Sequence, residues 1–454
     1  MGKSKMFKKQ EKGAWKFLVL GFLMVFMVSA IQDDTVMAKD AVPGMSKTMT
    51  INKGKTKNLS ITAKSKDITL KKVTWKSSNT KVATVKANGK SKGKVTAVKK
   101  GTATITATVS YKNKKKDLKK KLTCKVTVKE PVSSHGKVIA SGTCGKKKAS
   151  DVKWTYYADA TLYIYGKGDM KECNQFSTPW KAYQKKIKTL EIASGVTNVG
   201  TSAFEECSSL KSIKLSKSVK SIGGGAFEGC SSLTSITIPK GVTSIGNNAF
   251  RGCSSLMSIT IPEGVKSIGW YTFYKCSSLK SIMLPNSVTS IGEGAFSGCT
   301  GVVGITIPDG VTSIGKEAFQ ECSGLTSIAI PNGVKNIEER VFYKCSNLTD
   351  VTISKSVKGI GFEVFSECKS LTSITIPESV TSIGDDAFSG CSSLSSITIP
   401  ESVTRIGSNA FEGCSSLSSI TIPKGVTAIG WGTFSGCSSL SSITIPEGVT
   451  AIGR

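Results

Sequence analysis

The sequence predicts a multidomain, mostly β chain in which a β-sandwich is followed by a β-hairpin cap and a solenoid of short, near-identical coils. Three observations carry this. Eleven cysteines recur at one even spacing, Cys207, Cys230, Cys253 and so on to Cys437, each inside a near-copy of C-S-S-L-x-S-I-T-I-P-x-G-V-T-S-I-G-x-x-A-F-x-G. A repeat this short cannot bury its own apolar side chains, so neighbouring copies must stack into a solenoid. Ahead of the repeats, residues from about Met49 to Lys129 alternate in short β-rich runs with turn signals between them, the pattern of a sandwich. Between the two, residues 152–157 and 161–165 alternate on either side of Ala158-Asp-Ala160, the pattern of a hairpin.

Charge divides the chain in the same way. The 454 residues carry a formal net charge of +31, and residues 1–150 hold 36 lysines, no arginine and 7 acids, leaving the rest close to neutral. Six lysines, Lys3 to Lys16, precede a twelve-residue apolar run from Phe17 to Val28 that ends in Ser29 and Ala30. A transmembrane helix needs about 20 apolar residues. Residues 1–38 therefore read as a secretory signal peptide cut after Ala30 or Ala38. The other reading is an uncleaved anchor, the one route by which this chain would meet a membrane.

In the sandwich segment, residues 46–130, the runs Val73-Thr-Trp-Lys-Ser-Ser-Asn79, Val82-Ala-Thr-Val85 and Gly101-Thr-Ala-Thr-Ile-Thr106 stand in order. This wording resembles the bacterial Ig-like group 2 domain, which implies an Ig-like β-sandwich. The lysine stretch from Lys112 to Lys121 departs from that pattern and is expected to lengthen a hairpin. Residues 131–140, with Pro131, Ser133, Ser134 and Gly136, read as a polar linker. Residues 141–186 then suit an N-terminal cap, because a solenoid's open apolar end needs a polar cover.

The leucine-spaced solenoid occupies residues 187–454, with Gln184 in the first cysteine position, eleven full units and a twelfth cut short at Arg454. Within one unit Leu233, Ile236 and Ile238 alternate inward as a strand, Pro239 ends it and Gly241 permits a turn. Val242 and Ile245 return to the core, and Ala249 and Phe250 fill the corner before Cys253. The L-x-x-I-x-I-P…V-x-x-I-G-x-x-A-F-x-x-C form, a 23-residue unit, resembles the leucine-rich repeats of BspA-type surface proteins. That resemblance implies a leucine-rich-repeat solenoid, and adhesion to host matrix proteins or to other microbes. Arg454 ends the chain inside a repeat, an edge expected to fray, to pair with another chain, or to mark a truncated frame.

Little in the sequence points to catalysis. His135 is the only histidine and stands in the linker stretch, away from any nucleophile a packed site would offer. Carboxylate pairs such as Glu205-Glu206 and Asp385-Asp386 occupy a variable surface slot and read as solvated charges. The regular cysteines read as small core hydrophobes; no C-x-x-C spacing of the kind zinc favours is present, so no metal and no cofactor is expected. A Cys144–Cys173 bridge in the cap is the disulfide an exported chain would allow. The glycines read as turn residues, one or two per coil.

Binding surfaces are the better candidates. The outward strand positions make a hydroxyl lattice, among them Ser235, Thr237, Ser258 and Thr260, interrupted at Lys214, Met283, Gly304, Ala329 and Asp350. Such a lattice either binds a repeating polymer such as a glycan or is β-forming filler. Trp270, Tyr271, Tyr274, Tyr343 and Trp431 occupy slots that are small or polar in sister coils, and exposed aromatics favour interfaces. Lys112, Lys114, Lys115, Lys116, Lys119, Lys120 and Lys121 form the densest charge and suit a polyanion such as an anionic cell-wall polymer; nucleic acid is not expected for an exported chain. Two functional readings follow: a secreted or cell-surface binding protein whose array meets an extracellular protein or glycan, and a wall or biofilm-matrix component held by its basic half, with the array as a spacer.

Overall fold

The computed structural model describes residues 42–129, 135–174 and 176–453, so the signal segment of the sequence reading lies outside the described residues. The chain forms two compact units that divide between Ser133 and Ser134. No helix among the described residues is long and apolar enough to cross a membrane.

The first unit is a sandwich of two sheets. Strands β1 (Thr48–Asn52), β7 (Lys116–Lys129), β6 (Gly101–Asn113) and β3 (Ile68–Ser77) form one sheet in that spatial order. Strands β2 (Thr56–Ser60), β5 (Lys92–Ala97) and β4 (Ala83–Ala87) form the other. Alternation along β6 buries Ala103, Ile105, Ala107, Val109 and Tyr111 and turns Thr104, Thr106, Thr108 and Ser110 outward. The core also takes in Leu59, Val95, Cys124 and Val126. Trp75 lies across Gly93, where an added Cβ would come within 2.6 Å of the indole. The lysine stretch is itself the hairpin: Asn113 pairs with Lys116, leaving Lys114 and Lys115 as the turn, with Lys114 at φ 49°.

The second unit opens with the cap. Its strands β8 (Val138–Thr143), β9 (Val152–Tyr157) and β10 (Thr161–Gly166) are antiparallel, and β10 runs parallel to β11 (Thr189–Ile192), the first solenoid strand. The cap is thus a three-stranded meander instead of a two-stranded hairpin, and β8 starts within the stretch read as a linker. His135 is tied to it: Nδ1 lies 3.0 Å from Asp159 and the ring packs on Tyr157. Trp180 is fully buried, donates its indole N–H to Ala203 O, and stacks on Phe204 at 5.2 Å.

From Phe204 to Phe434 one phenylalanine per coil continues that stack, with centroids 5.4–5.9 Å apart and planes within 18°. Beside it runs the cysteine ladder. Each thiol from Cys230 to Cys437 donates to the carbonyl of the phenylalanine one coil earlier, at 3.1–3.3 Å. All fourteen cysteines are free, Cys144 and Cys173 included. Gln184 fills the thiol's place in the first coil and donates its amide to Glu205 O.

Candidate functional site

Each coil has three walls. The first is the S-I-T strand, for example Ser258–Thr260, and the second is the short S-I strand, for example Ser267–Ile268; both pair in parallel with the next coil. The third is the corner around Ala-Phe, which holds two left-handed residues four positions apart. Gly225 and Gly229 stand at φ 60° and 69° there. Every second corner N–H aims at the following coil: Gly225 N–H meets Asn247 O at 2.8 Å, Phe227 N–H meets Ala249 O at 2.9 Å and Gly229 N–H meets Arg251 O at 2.8 Å, while Ala226 and Glu228 bond back to Gly223 O and Gly225 O. A third backbone ladder results.

The glycine opening this corner has a different cause from a turn. At Gly246, Gly315 and Gly407 an added Cβ would lie 2.3–2.6 Å from a backbone nitrogen of the preceding coil, so the glycine is there for close approach. For this column that corrects the sequence reading of the glycines as turn residues, a reading that Gly225 and Gly229 keep. One coil breaks the column, with Glu338 where its sisters have glycine. The second-wall ladder stops at Ser313–Ile314 and resumes at Asn336–Ile337, beside this glutamate. It also stops between Ile245 and Ser267, where the Asn247 side chain inserts and accepts the Trp270 backbone N–H at 3.0 Å.

Between these two breaks the surface is a groove of about 660 Å³. Gly269, Gly292 and Gly315 line it with bare backbone, Trp270 and Asn247 lie toward one end, and Lys335 and Glu338 toward the other. Trp270 is 60% exposed. The neighbouring Thr272 replaces the usual alanine and returns its hydroxyl to Gly269 O at 2.8 Å, which pins the segment carrying the indole. The same G-W-x-T-F wording recurs at Gly430–Phe434, where Thr433 bonds Gly430 O at 2.9 Å. That doublet is the sequence signal for this local build, one that a search for exposed aromatics alone misses.

The predicted aromatics separate into three places. Trp270, Tyr271 and Tyr274 stand together, the two tyrosines edge to face at 5.6 Å, with Arg251 and Lys275 each 5.1 Å from the Tyr274 ring. The Tyr271 hydroxyl donates to Glu293, and that hydrogen bond, more than burial, pushes the phenol up to about 12. Tyr343 belongs to a second cluster three coils on, with Lys344 at 5.0 Å and Arg340 at 6.0 Å from its ring. Arg340 also covers Phe362 at 5.1 Å and pairs with Glu363, two residues absent from the sequence candidates. Trp431 is 68% exposed and stands seven coils from Trp270 in the same column. Ser235, Thr237, Ser258 and Thr260 are exposed on the first wall, a different face, interrupted by exposed Met257, Met283 and Val303.

In the first unit, strand alternation divides the lysine run. Lys119 and Lys121 turn outward with Lys112, Lys120 takes an inward position opposite Val109, and Lys114, Lys115 and Lys116 lie at the hairpin end. Asp117 faces Lys112 in register and is ion-paired with Lys71 at 2.6 Å, which holds its carboxyl below the usual range.

Comparison with known families settles the kinship of the second unit. The model of the BspA type leucine-rich repeat region, in six copies, matches residues 181–302, 266–394 and 358–454. The chain belongs to this BspA-type leucine-rich repeat family. Ahead of the BspA-type repeats, the bacterial Ig-like domain (group 2) matches residues 41–120. None of the curated proteins matches the chain. Among solved structures, a leucine-rich repeat protein from Eubacterium ventriosum is 26% identical, covering 67% of this chain and 96% of its own, with a TM-score of 0.44. A leucine rich cell surface protein from Faecalibacterium prausnitzii is 29% identical over 65% of this chain and 93% of its own, with a TM-score of 0.39. A leucine-rich repeat protein from Bacteroides ovatus is 29% identical over 70% and 100%, with a TM-score of 0.40.

Proposed function

We propose that this BspA-type protein is exported and works at the cell surface as a non-catalytic binding protein, its ligand an extracellular protein or glycan held on the corner face of the coils. One observation carries the reading. The repeats are near-copies of one another in the core, and beside that core the corner columns vary and place Trp270, Tyr271, Tyr274, Arg340 and Tyr343 in exposed or half-exposed clusters beside a groove. Tyr271, Lys275, Arg340 and Lys344 hold left-handed positions, at φ 52–58°, that glycine fills in some sister coils and Glu, Asn, Asp or Ser in others. The lysine-flanked apolar run at the start of the sequence supports export.

A panel of matrix proteins and glycans tests this. The full chain is expected to bind at least one member, and Trp270→Ala with Tyr274→Ala is expected to lower that affinity by roughly tenfold or more, as loss of an aromatic anchor does. Binding by neither chain to any member would end the proposal.

A further inference from the structure

The first unit carries a surface that the corner-face reading leaves unused. On the sheet β3-β6-β7 the outward positions are Lys72, Thr74 and Lys76 of β3, Thr104 to Ser110 in alternation on β6, and Lys119, Lys121 and Lys125 of β7. The register sets Lys72, Ser110 and Lys119 in one row across the sheet, and Thr74, Thr108 and Lys121 in the next but one. A lane of hydroxyls therefore runs along β6 with a row of lysines on each side, the two rows about 10 Å apart at ordinary strand spacing. Between residues 42 and 129 there are 25 lysines and two acids, Asp67 and Asp117, and Asp117 is occupied by Lys71. No large apolar side chain breaks the lane.

The geometry points to a docking track for a linear phosphodiester polymer, lying along β6 with its phosphates between the two lysine rows and its oxygens within reach of the threonine hydroxyls. Charge complementarity and shape both argue for a strand-like polyanion over a folded protein. The face lacks the buried aromatic or arginine anchors that protein interfaces use. Lysine, present here without any arginine, meets phosphate as a point charge and follows a flexible chain without demanding one orientation. Half of the track comes from β3, well ahead of the lysine run that dominates the sequence, which is why the run alone does not reveal it.

The test uses the full chain with poly(glycerol phosphate) as probe and heparin as the sulfated comparison. Lys72→Gln, Lys76→Gln, Lys121→Gln and Lys125→Gln together are expected to weaken poly(glycerol phosphate) binding by roughly tenfold or more and to lower the slope of log affinity against log salt by about 3, as four lost phosphate contacts would. A charge-matched set on or beside the other sheet, Lys86, Lys90, Lys92 and Lys94 to Gln, is expected to change affinity less than about threefold, because screening over roughly 10 Å keeps the effect local. Restoring the first set as Arg should recover binding, which separates lost charge from lost folding. Equal losses from both sets would show net charge without a track and overturn the proposal. So would heparin binding with no binding of poly(glycerol phosphate).

Discussion

The Cys299 thiol shows what one residue does in this array. It is fully buried, it donates to Phe273 O at 3.1 Å, and burial raises it well above the ordinary thiol value. Its neighbours Cys276 and Cys322 are pushed to about 12 by the same desolvation. The unfolded chain releases these protons above about pH 9 while the folded chain keeps them. Stability is therefore fully present below pH 9 and is lost as pH rises toward 12, with a slope of up to about 1.4 kcal/mol per pH unit for each buried thiol. Urea midpoints measured from pH 7 to pH 10.5 should fall steeply, and less steeply in Cys276→Ala with Cys322→Ala; an unchanged slope would count against the buried-donor role. The left-handed corner gives a second test at this scale. Gly252 sits at φ 68° with its nearest neighbour 3.7 Å from an added Cβ, so Gly252→Ala meets no clash and reports the backbone cost alone, about 1 kcal/mol in the urea midpoint.

At the scale of elements, the cap and the corner differ in how far the sequence foretold them. Period-2 alternation and the coil-length repeat made the sandwich, the cap's position and the inward set Leu233, Ile236, Val242, Ile245, Phe250 and Cys253 legible, because burial periodicity is a property of neighbouring residues. The corner ladder was not legible. Its glycines answer to the backbone one coil away, as Gly407 does to Asp385, and a contact that far along the chain leaves no local pattern. Strand β8 escaped for a related reason: Val138 and Ile139 are about half exposed, so their burial gives little periodicity, and pairing with β9 decides their conformation. Trp180 closes the phenylalanine stack from the cap side. Trp180→Ala should cost about 3–5 kcal/mol, and hydrogen exchange should quicken first at Thr189–Ile192 and Ser212–Lys214, leaving the coils beyond Ser373 protected.

For the whole molecule, a solenoid's stability is close to a sum over coils and their interfaces. Removing residues 391–413, one complete period, joins Gly390 to Cys414 in register and should leave a folded, shorter array whose binding is unchanged. Removing residues 391–412 instead leaves one residue too many, puts Cys414, Phe434 and Cys437 out of line and should strip the coils beyond Gly390 of hydrogen-exchange protection while the earlier coils keep theirs. Uniform coils set length on this account, and the groove between Asn247 and Glu338 with the neighbouring aromatic clusters sets recognition. Hydrogen exchange on the full chain, with and without the ligand selected from the protein and glycan panel, tests that division most directly. Slowed exchange is expected at residues 247–252, 269–275 and 338–344; protection confined to the coils beyond Ser373, or to residues 42–129, would contradict that division of labour.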